Sequence, residues 1–290
     1  MTQISKVIIA TLMRAILFLL LFFPFTSNAQ TVCSPESRER LERLLFELSQ
    51  KDHSGKSLNT LNVEIGEWFL GTPYVEKTLE IPGEEKLVIN LQGLDCTTFL
   101  ETVVTLSRLV SKSKLTFEAY EAELEKIRYR NSVNTGYPSR LHYFSDWMFE
   151  NEKKGIIKDV TANIGGKPYP NHPTFMSSNP QFYPPLSNPG YVTQIKASEK
   201  TIASRTYSYI PKEEIRQREH LIQAGDLIAI TATMSNLDMV HVGFAMEING
   251  RIHLMHASSG TMQVEVSEKP LSDYLASFKS QSGIMVGRLR

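Results

Sequence analysis

At 290 residues, with 41% hydrophobic and 21% charged residues, the chain is long enough for one large domain or two small ones around a sizeable core. Lys+Arg and Asp+Glu each total 31, and this balance argues against nucleic acid as the main ligand, because binding to a phosphate backbone shows as a basic excess.

The first element in chain order is a leader. Lys6 and Arg14 precede the apolar run 15–25, and Ser27-Asn28-Ala29 supplies small residues for a cleavage site. This pattern predicts a secretory signal peptide over 1–29. The apolar run falls short of the roughly 20 residues of a membrane span, so no stable insertion is expected after cleavage. Gln30-Thr31-Val32 ahead of Cys33 does not suit lipidation. Residues 30–290 would then be a single exported domain, in a compartment where Cys33 and Cys96 could pair. Cys33 lies close to the new terminus, in a segment expected to fray, so the surroundings of Cys96 must decide between staple and free thiol.

Ser34-Pro35 supplies an N-cap and a proline at N1 for the first helix. Further helices are predicted over 58–70, stopped by Gly71 and Pro73, and over 97–110, 117–129 and 139–154. Between Pro168 and Pro189 lie seven of the chain's 14 prolines, which predicts a long loop without regular elements, either a functional wall or a surface excursion. Four β-rich runs follow at 226–231, 240–248, 251–258 and 283–289, with Asn249-Gly250 marking a hairpin. Helices first and strands second predict an α+β fold whose antiparallel sheet packs on the helix carrying Cys96.

Gly93 and Asp95 break the chain before Cys96, which places Cys96 in the first turn of its helix. Unpaired N–H groups and the helix dipole there are expected to lower its pKa and to stabilise an oxyanion. The plain alternative is a small buried apolar residue. A thiol nucleophile needs a base, oriented by a third group. His241, His253 and His256 all fall on predicted strands, and Gly243 permits close backbone approach beside His241. His253 and His256 are three apart, so only one can face the Cys96 helix; the small residues Ala257-Ser258-Ser259-Gly260 favour His256. A three-ligand zinc site from Cys96, His241 and His256 lacks the usual close ligand pairs, so no metal and no cofactor are expected.

Five pieces in order, Leu70-Gly71-Thr72-Pro73-Tyr74, Asp95-Cys96-Thr97, Gly225-Asp226-Leu227-Ile228, His241-Val242-Gly243-Phe244 and His256-Ala257-Ser258, resemble the NlpC/P60 superfamily of papain-like cell-wall peptidases. The resemblance implies a papain-like fold with Cys96 as nucleophile, His241 as base and His256 as the group that orients it. It also places Tyr74 near the nucleophile. The stretches 69–74, 94–101 and 139–147, with Leu237-Asp238 before His241, are similar to the DUF1460 subfamily. That likeness implies an N-acetylmuramoyl-L-alanine amidase preferring 1,6-anhydro-muropeptides, hence peptidoglycan fragments as partners and the periplasm of a Gram-negative bacterium as location. Tyr74, Asp95, Thr97, Arg140 and His142 become candidate substrate contacts. Asp95 also has a capping role to play. Read as one helix, 139–154 would bring Arg140, Tyr143, Phe144 and Trp147 together as a sugar-binding surface, or would simply bury Leu141, Phe144 and Met148. The rival readings are a D-glutamyl-diaminopimelate endopeptidase, a transglutaminase-like acyltransferase and a non-catalytic wall-binding protein.

Overall fold

The computed structural model describes residues 31–290, and the expected signal peptide lies outside the described residues. In chain order the elements are β1 (Thr31–Cys33), α1 (Pro35–Ser49), α2 (Leu58–Trp68), β2 (Leu87–Ile89), α3 (Cys96–Ser111), α4 (Phe117–Arg128), α5 (Phe144–Lys153), β3 (Ile157–Asp159), β4 (Lys167–Tyr169), α6 (Phe175–Ser178), α7 (Pro189–Ala203), β5 (Tyr207–Pro211), α8 (Ile215–Arg218), β6 (Leu227–Ala232), β7 (Met239–Ile248), β8 (Arg251–Ser258), β9 (Gln263–Val266), α9 (Leu271–Ala276) and β10 (Gln281–Leu289). An antiparallel sheet runs β4-β5-β10-β6-β7-β8-β9, with β3 on the far end of β10. Helices in the first half and an antiparallel sheet in the second make a mixed α/β architecture of the expected kind.

Almost every side chain of α3 is buried, as for a helix at the centre of a core. Its charged residues are matched inside the protein: Glu101 accepts from Arg128 at 2.7 Å and from the Trp147 indole at 3.1 Å, and Arg108 donates to Glu123. Phe99 meets Phe69 of the α2 end and Phe244 of β7 edge-on, with centroids 6.3 and 5.8 Å apart. This aromatic chain, worth about 0.5–1.5 kcal/mol per pair beyond area burial, fixes how α3 lies on the sheet.

Four expectations are corrected. Cys33 does not fray: β1 pairs in parallel with β2, and both cysteines are free thiols. The helix predicted over 139–154 begins only at Phe144. Arg140 is extended and bridges Tyr129, and Leu141 N–H bonds the Arg128 carbonyl, so this chain segment is drawn out alongside the end of α4. The proline-rich stretch holds β4, α6 and two 3₁₀ turns, and Pro189 starts the 15-residue helix α7. Proline interrupts helix interiors but suits N1, which the expectation of an irregular loop overlooked. The sheet also gains β3, β4, β5 and β9, strands too short for periodicity to reveal.

Gly225 and Asp226 lock α2 to the sheet. Asp226 accepts both nitrogens of the Arg288 fork at 2.8 and 2.7 Å and the Asn59 amide at 2.8 Å. Gly225 has φ +83°, and a Cβ there would lie 2.0 Å from the Asn59 carbonyl oxygen. Gly250, in the expected hairpin, has φ +74° with open space around it. Gly250→Ala should cost about 1–2 kcal/mol for the left-handed backbone alone. Gly225→Ala should cost at least about 2 kcal/mol more, because the backbone of α2 must also move. Paired urea unfolding curves check this, and equal costs would contradict it.

Candidate functional site

Cys96 is the first residue of α3. Asp95 caps the helix: its carboxylate accepts from the Thr98 N–H and the Thr98 hydroxyl, both at 2.8 Å, while the Asp95 N–H donates to Thr98 Oγ1 at 2.9 Å. This reciprocal box satisfies Thr98 and leaves the N–H groups of Cys96 and Thr97 outside the cap and the helix ladder, the Thr97 N–H turning to the Cys96 sulfur. The entry to the helix is held by a bridge between Tyr74 and Leu94 and by Tyr74 N–H on the Met262 carbonyl.

The sheet opens where α3 meets it. Pairing of β7 with β8 stops at Phe244 and Met255. Beyond that point 239–242 pair with β6 and 256–258 pair with β9. The register of β6 on β7 also shifts between Ile230 and Thr231. The Val242 N–H, freed from the β8 ladder, reaches the Cys96 thiol. His241 Nε2 and His256 Nδ1 span the gap at 2.6 Å, with the rings edge to face. Gly243 keeps the gap narrow, since a Cβ there would lie 2.6 Å from the Met255 carbonyl and 3.0 Å from the His256 Cβ.

Facing the helix is not what selects His256. On β8, Met255 and Ala257 join the core around Phe99, whereas Ile252 and Leu254 join a second cluster beyond the sheet. His256 alternates with Met255, points to the other face of the strand and meets His241 Nε2 through Nδ1. His253 instead bonds the Ser267 carbonyl through Nδ1 at 2.8 Å.

The protonation states also depart from expectation. Burial first, then the Asp95 charge, pushes the Cys96 thiol up to about 11, although N–H groups of Val242 and Thr97 pull the other way. Helix-start donors therefore lose to desolvation in the resting protein. His241 is held down at about 4 by burial, and His256 at about 3 by burial and the neighbouring His241. Near neutral pH the cluster is a neutral thiol beside two neutral imidazoles. The Tyr74 phenol is raised to about 12 by burial and then by the charges of Cys96 and Asp95.

A cavity of about 180 Å³ is lined by Cys96, Thr97, His142, Tyr143, Asp238 and His241, among others. Asp238 builds its wall. Its carboxylate accepts from the Ser145 N–H at 2.8 Å and from the Met239 N–H at 2.7 Å. It thereby caps α5, whose own N-cap residue Tyr143 makes no capping bond, and ties that helix to the start of β7. Met176 and Tyr183 of the proline-rich stretch form another side of the cavity. Glu199 of α7 anchors that stretch by accepting from the Tyr143 hydroxyl and the Ser177 N–H. The stretch is a wall of the site. Nothing in the sequence singles out Glu199 or Tyr183, and Tyr143 entered only as one residue of the surface read from a single helix over 139–154.

An adjoining groove of about 520 Å³ is lined by Lys77, Glu80, Asp95, Thr97, Arg140, His142 and Phe182 with others. Thr97, His142 and Tyr183 belong to both hollows. Arg140 is only 6% exposed and is ion-paired with Glu80 and, at 3.6 Å, with Glu85. It frames the groove and is not a free cation. His142 donates Nε2–H to the Tyr137 carbonyl at 2.8 Å, and burial plus Arg140 lower its pKa to about 3. Asp146 is buried and paired with Arg130 and Arg205, and Trp147, Leu141, Phe144 and Met148 are buried, so of the two readings of 139–154 the apolar burial holds and the sugar-binding surface does not form. A wider surface hollow of about 800 Å³ around Asp52 and His53 contains no part of this cluster. Among the described residues, no group of three or more His, Cys, Asp or Glu side chains is placed to hold a metal ion. His241 Nε2 and His256 Nδ1 are committed to the hydrogen bond between the two rings.

An α-helix start set into a parted antiparallel sheet, with a cysteine and two histidines at the junction, defines the class. The profile of the AmiA-like family, described as N-acetylmuramoyl-L-alanine amidase-like, matches residues 64–284, and the chain belongs to this family. A solved N-acetylmuramoyl-L-alanine amidase from Bacteroides uniformis is similar at 35% identity and TM-score 0.77, over 80% of this chain and 99% of that one. A Bacteroides fragilis protein described as a putative xylanase is similar at 36% identity and TM-score 0.74, over 78% and 99%. A Legionella pneumophila protein described as DUF1460 shares the fold at 22% identity and TM-score 0.66, over 88% and 94%. No curated protein matches.

The depressed histidines predict acid sensitivity. Between about pH 6.5 and the folded values, the unfolded chain binds protons that the native chain excludes, so stability falls as pH falls through that window. One such group contributes a slope of at most about 1.4 kcal/mol per pH unit. Stability of His142→Gln should therefore decline less than that of the wild type between pH 6.5 and 4 in urea titrations. Parallel declines would contradict the burial of His142 as a neutral ring.

Proposed function

We propose that the protein is an exported cysteine amidase of the NlpC/P60 type, with a papain-like fold, that hydrolyses the bond between N-acetylmuramic acid and L-alanine in peptidoglycan fragments. The observation that carries the reading is the Cys96 thiol at a helix start, lining one cavity with His241, whose ring is hydrogen-bonded to His256. His241 accepts the thiol proton as sulfur attacks the lactyl carbonyl. The N–H groups of the first turn of α3 receive the developing oxyanion. The protonated His241, held by His256, then gives its proton to the departing L-alanine amine, leaving a muramyl thioester on Cys96. Water, deprotonated by His241, hydrolyses the thioester and restores the thiol.

Raised thiol and depressed imidazole values mean that the proton moves only as attack occurs. Activity should hold across neutral pH and fall as His241 is protonated near pH 4. The preference for 1,6-anhydro-muropeptides rests on the DUF1460 resemblance. The adjoining groove of about 520 Å³ lies within the range of small-molecule pockets, room enough for a fragment of the wall. Export and a periplasmic location rest on the leader sequence. A glycosidase reading, suggested by the xylanase description, would need two carboxyl groups flanking a sugar bond. The one carboxylate lining the 180 Å³ cavity, Asp238, is committed to the N–H groups of Ser145 and Met239.

Cys96→Ala and His241→Ala should each lower amidase turnover on a defined anhydro-disaccharide peptide by on the order of 10⁴-fold or more while the protein stays folded. Mass spectrometry of wild-type digests should find intact stem peptide with a free L-alanine amine. Cleavage after D-glutamate, or near-wild-type turnover by Cys96→Ala, would sink the assignment.

A further inference from the structure

His256 Nε2 is a buried ring nitrogen without a hydrogen-bond partner, on a residue only 1% exposed. Three groups lie around the ring. His241 of β7 meets Nδ1 at 2.6 Å, and Tyr274 of α9 presents its ring at 5.6 Å and 70°. Glu265 of β9, directly opposite His256 in the ladder, places Oε1 3.7 Å from Nε2. That separation is too long for a hydrogen bond but close enough for its charge to matter.

The short bond between the two neutral histidines admits two proton arrangements. In one, His241 Nε2–H donates to His256 Nδ1; His241 Nδ1 is then a bare lone pair, and His256 carries its proton on Nε2, toward Glu265. In the other, His256 Nδ1–H donates to His241 Nε2; His241 Nδ1 then carries a proton and cannot accept one from a thiol, and the bare His256 Nε2 faces a carboxylate. A negative charge beside Nε2 favours the first arrangement and opposes the second.

We propose that Glu265 is a positioning residue that fixes the tautomer of His256 and, through it, leaves His241 Nδ1 open to the Cys96 proton. Glu265 touches no reacting atom. It acts across two rings on the direction of a proton chain, and this inference rests on the reading of Cys96 and His241 as nucleophile and base.

The test uses the mature chain with ¹⁵N-labelled histidine at pH 7, where long-range ¹H–¹⁵N spectra report which ring nitrogen is protonated. In the wild type, His241 and His256 should both be protonated on Nε2. Glu265→Gln, which can donate or accept, should raise the Nδ1–H form of His241 to a comparable population and lower kcat/KM several-fold with KM nearly unchanged. Glu265→Lys should make that form dominant and lower kcat/KM by about a hundredfold, since a triad histidine in the wrong tautomer forfeits most of its catalysis. Glu265 is partly exposed, so thermal melts should show both variants folded. Unchanged tautomers in both variants, or an Nδ1–H His241 in the wild type, would overturn the proposal. The spectra need no substrate, so they decide on Glu265 even if Cys96→Ala retained activity and the amidase reading failed.

Discussion

Two neighbouring strands of an antiparallel sheet ordinarily satisfy each other's backbone. Between β7 and β8 that pairing ends at Phe244 and Met255, and the start of α3 stands at the opening. The released Val242 N–H turns to a sulfur atom, and two imidazoles span the space a ladder would have filled. The residues around the site fit this end of the ladder. Gly243 leaves room for the Met255 carbonyl and the His256 Cβ, the Phe99 and Phe244 rings meet edge to face where α3 lies on the strands, and Asp95 caps the first turn of the helix.

Electrostatically the site is a contest between burial and polar donors. Donors at a helix start favour a thiolate, yet the thiol is raised to about 11 because it is packed away from water beside Asp95. A resting ion pair between thiolate and imidazolium would have to form in this poorly solvated place, and the depressed His241 argues against it. A neutral pair carries no standing charge, so in the proposed mechanism the cost of charge separation falls on the moment of attack, when oriented N–H groups can offset it. Asp238, Glu199 and the proline-rich stretch have a different task. They keep the walls of the cavity still through buried bonds to Ser145, Tyr143 and Ser177.

Much of this was legible from the residues. Helical periodicity located α1 to α4, and alternation with an Asn-Gly turn located β6, β7, β8 and β10. The cluster of Cys96, His241 and His256 could be named because thiol chemistry needs a base and an orienting group, and ordered motifs singled them out. Helix 139–154 was misread because Leu141, Phe144 and Met148 keep helical spacing while Arg140 is pulled aside by buried partners distant in sequence. Arg140 shows the general limit: a cation beside an aromatic reads as a ligand contact until its carboxylates are seen. The lowered thiol pKa was misjudged for a similar reason, since local sequence announces the helix start but not the depth of burial. Glu265 was invisible, because its relation to His256 depends on the register of β8 on β9.

The central claim is that Cys96 takes the acyl group on the muramic acid side of the amide. Acid-quenching the enzyme during turnover of an anhydro-disaccharide peptide, followed by peptide mass spectrometry, reads that group directly. The account predicts a thioester on the Cys96 peptide carrying the intact anhydro-muramyl sugar. A thioester carrying stem-peptide residues, or an adduct on any other side chain, would contradict it.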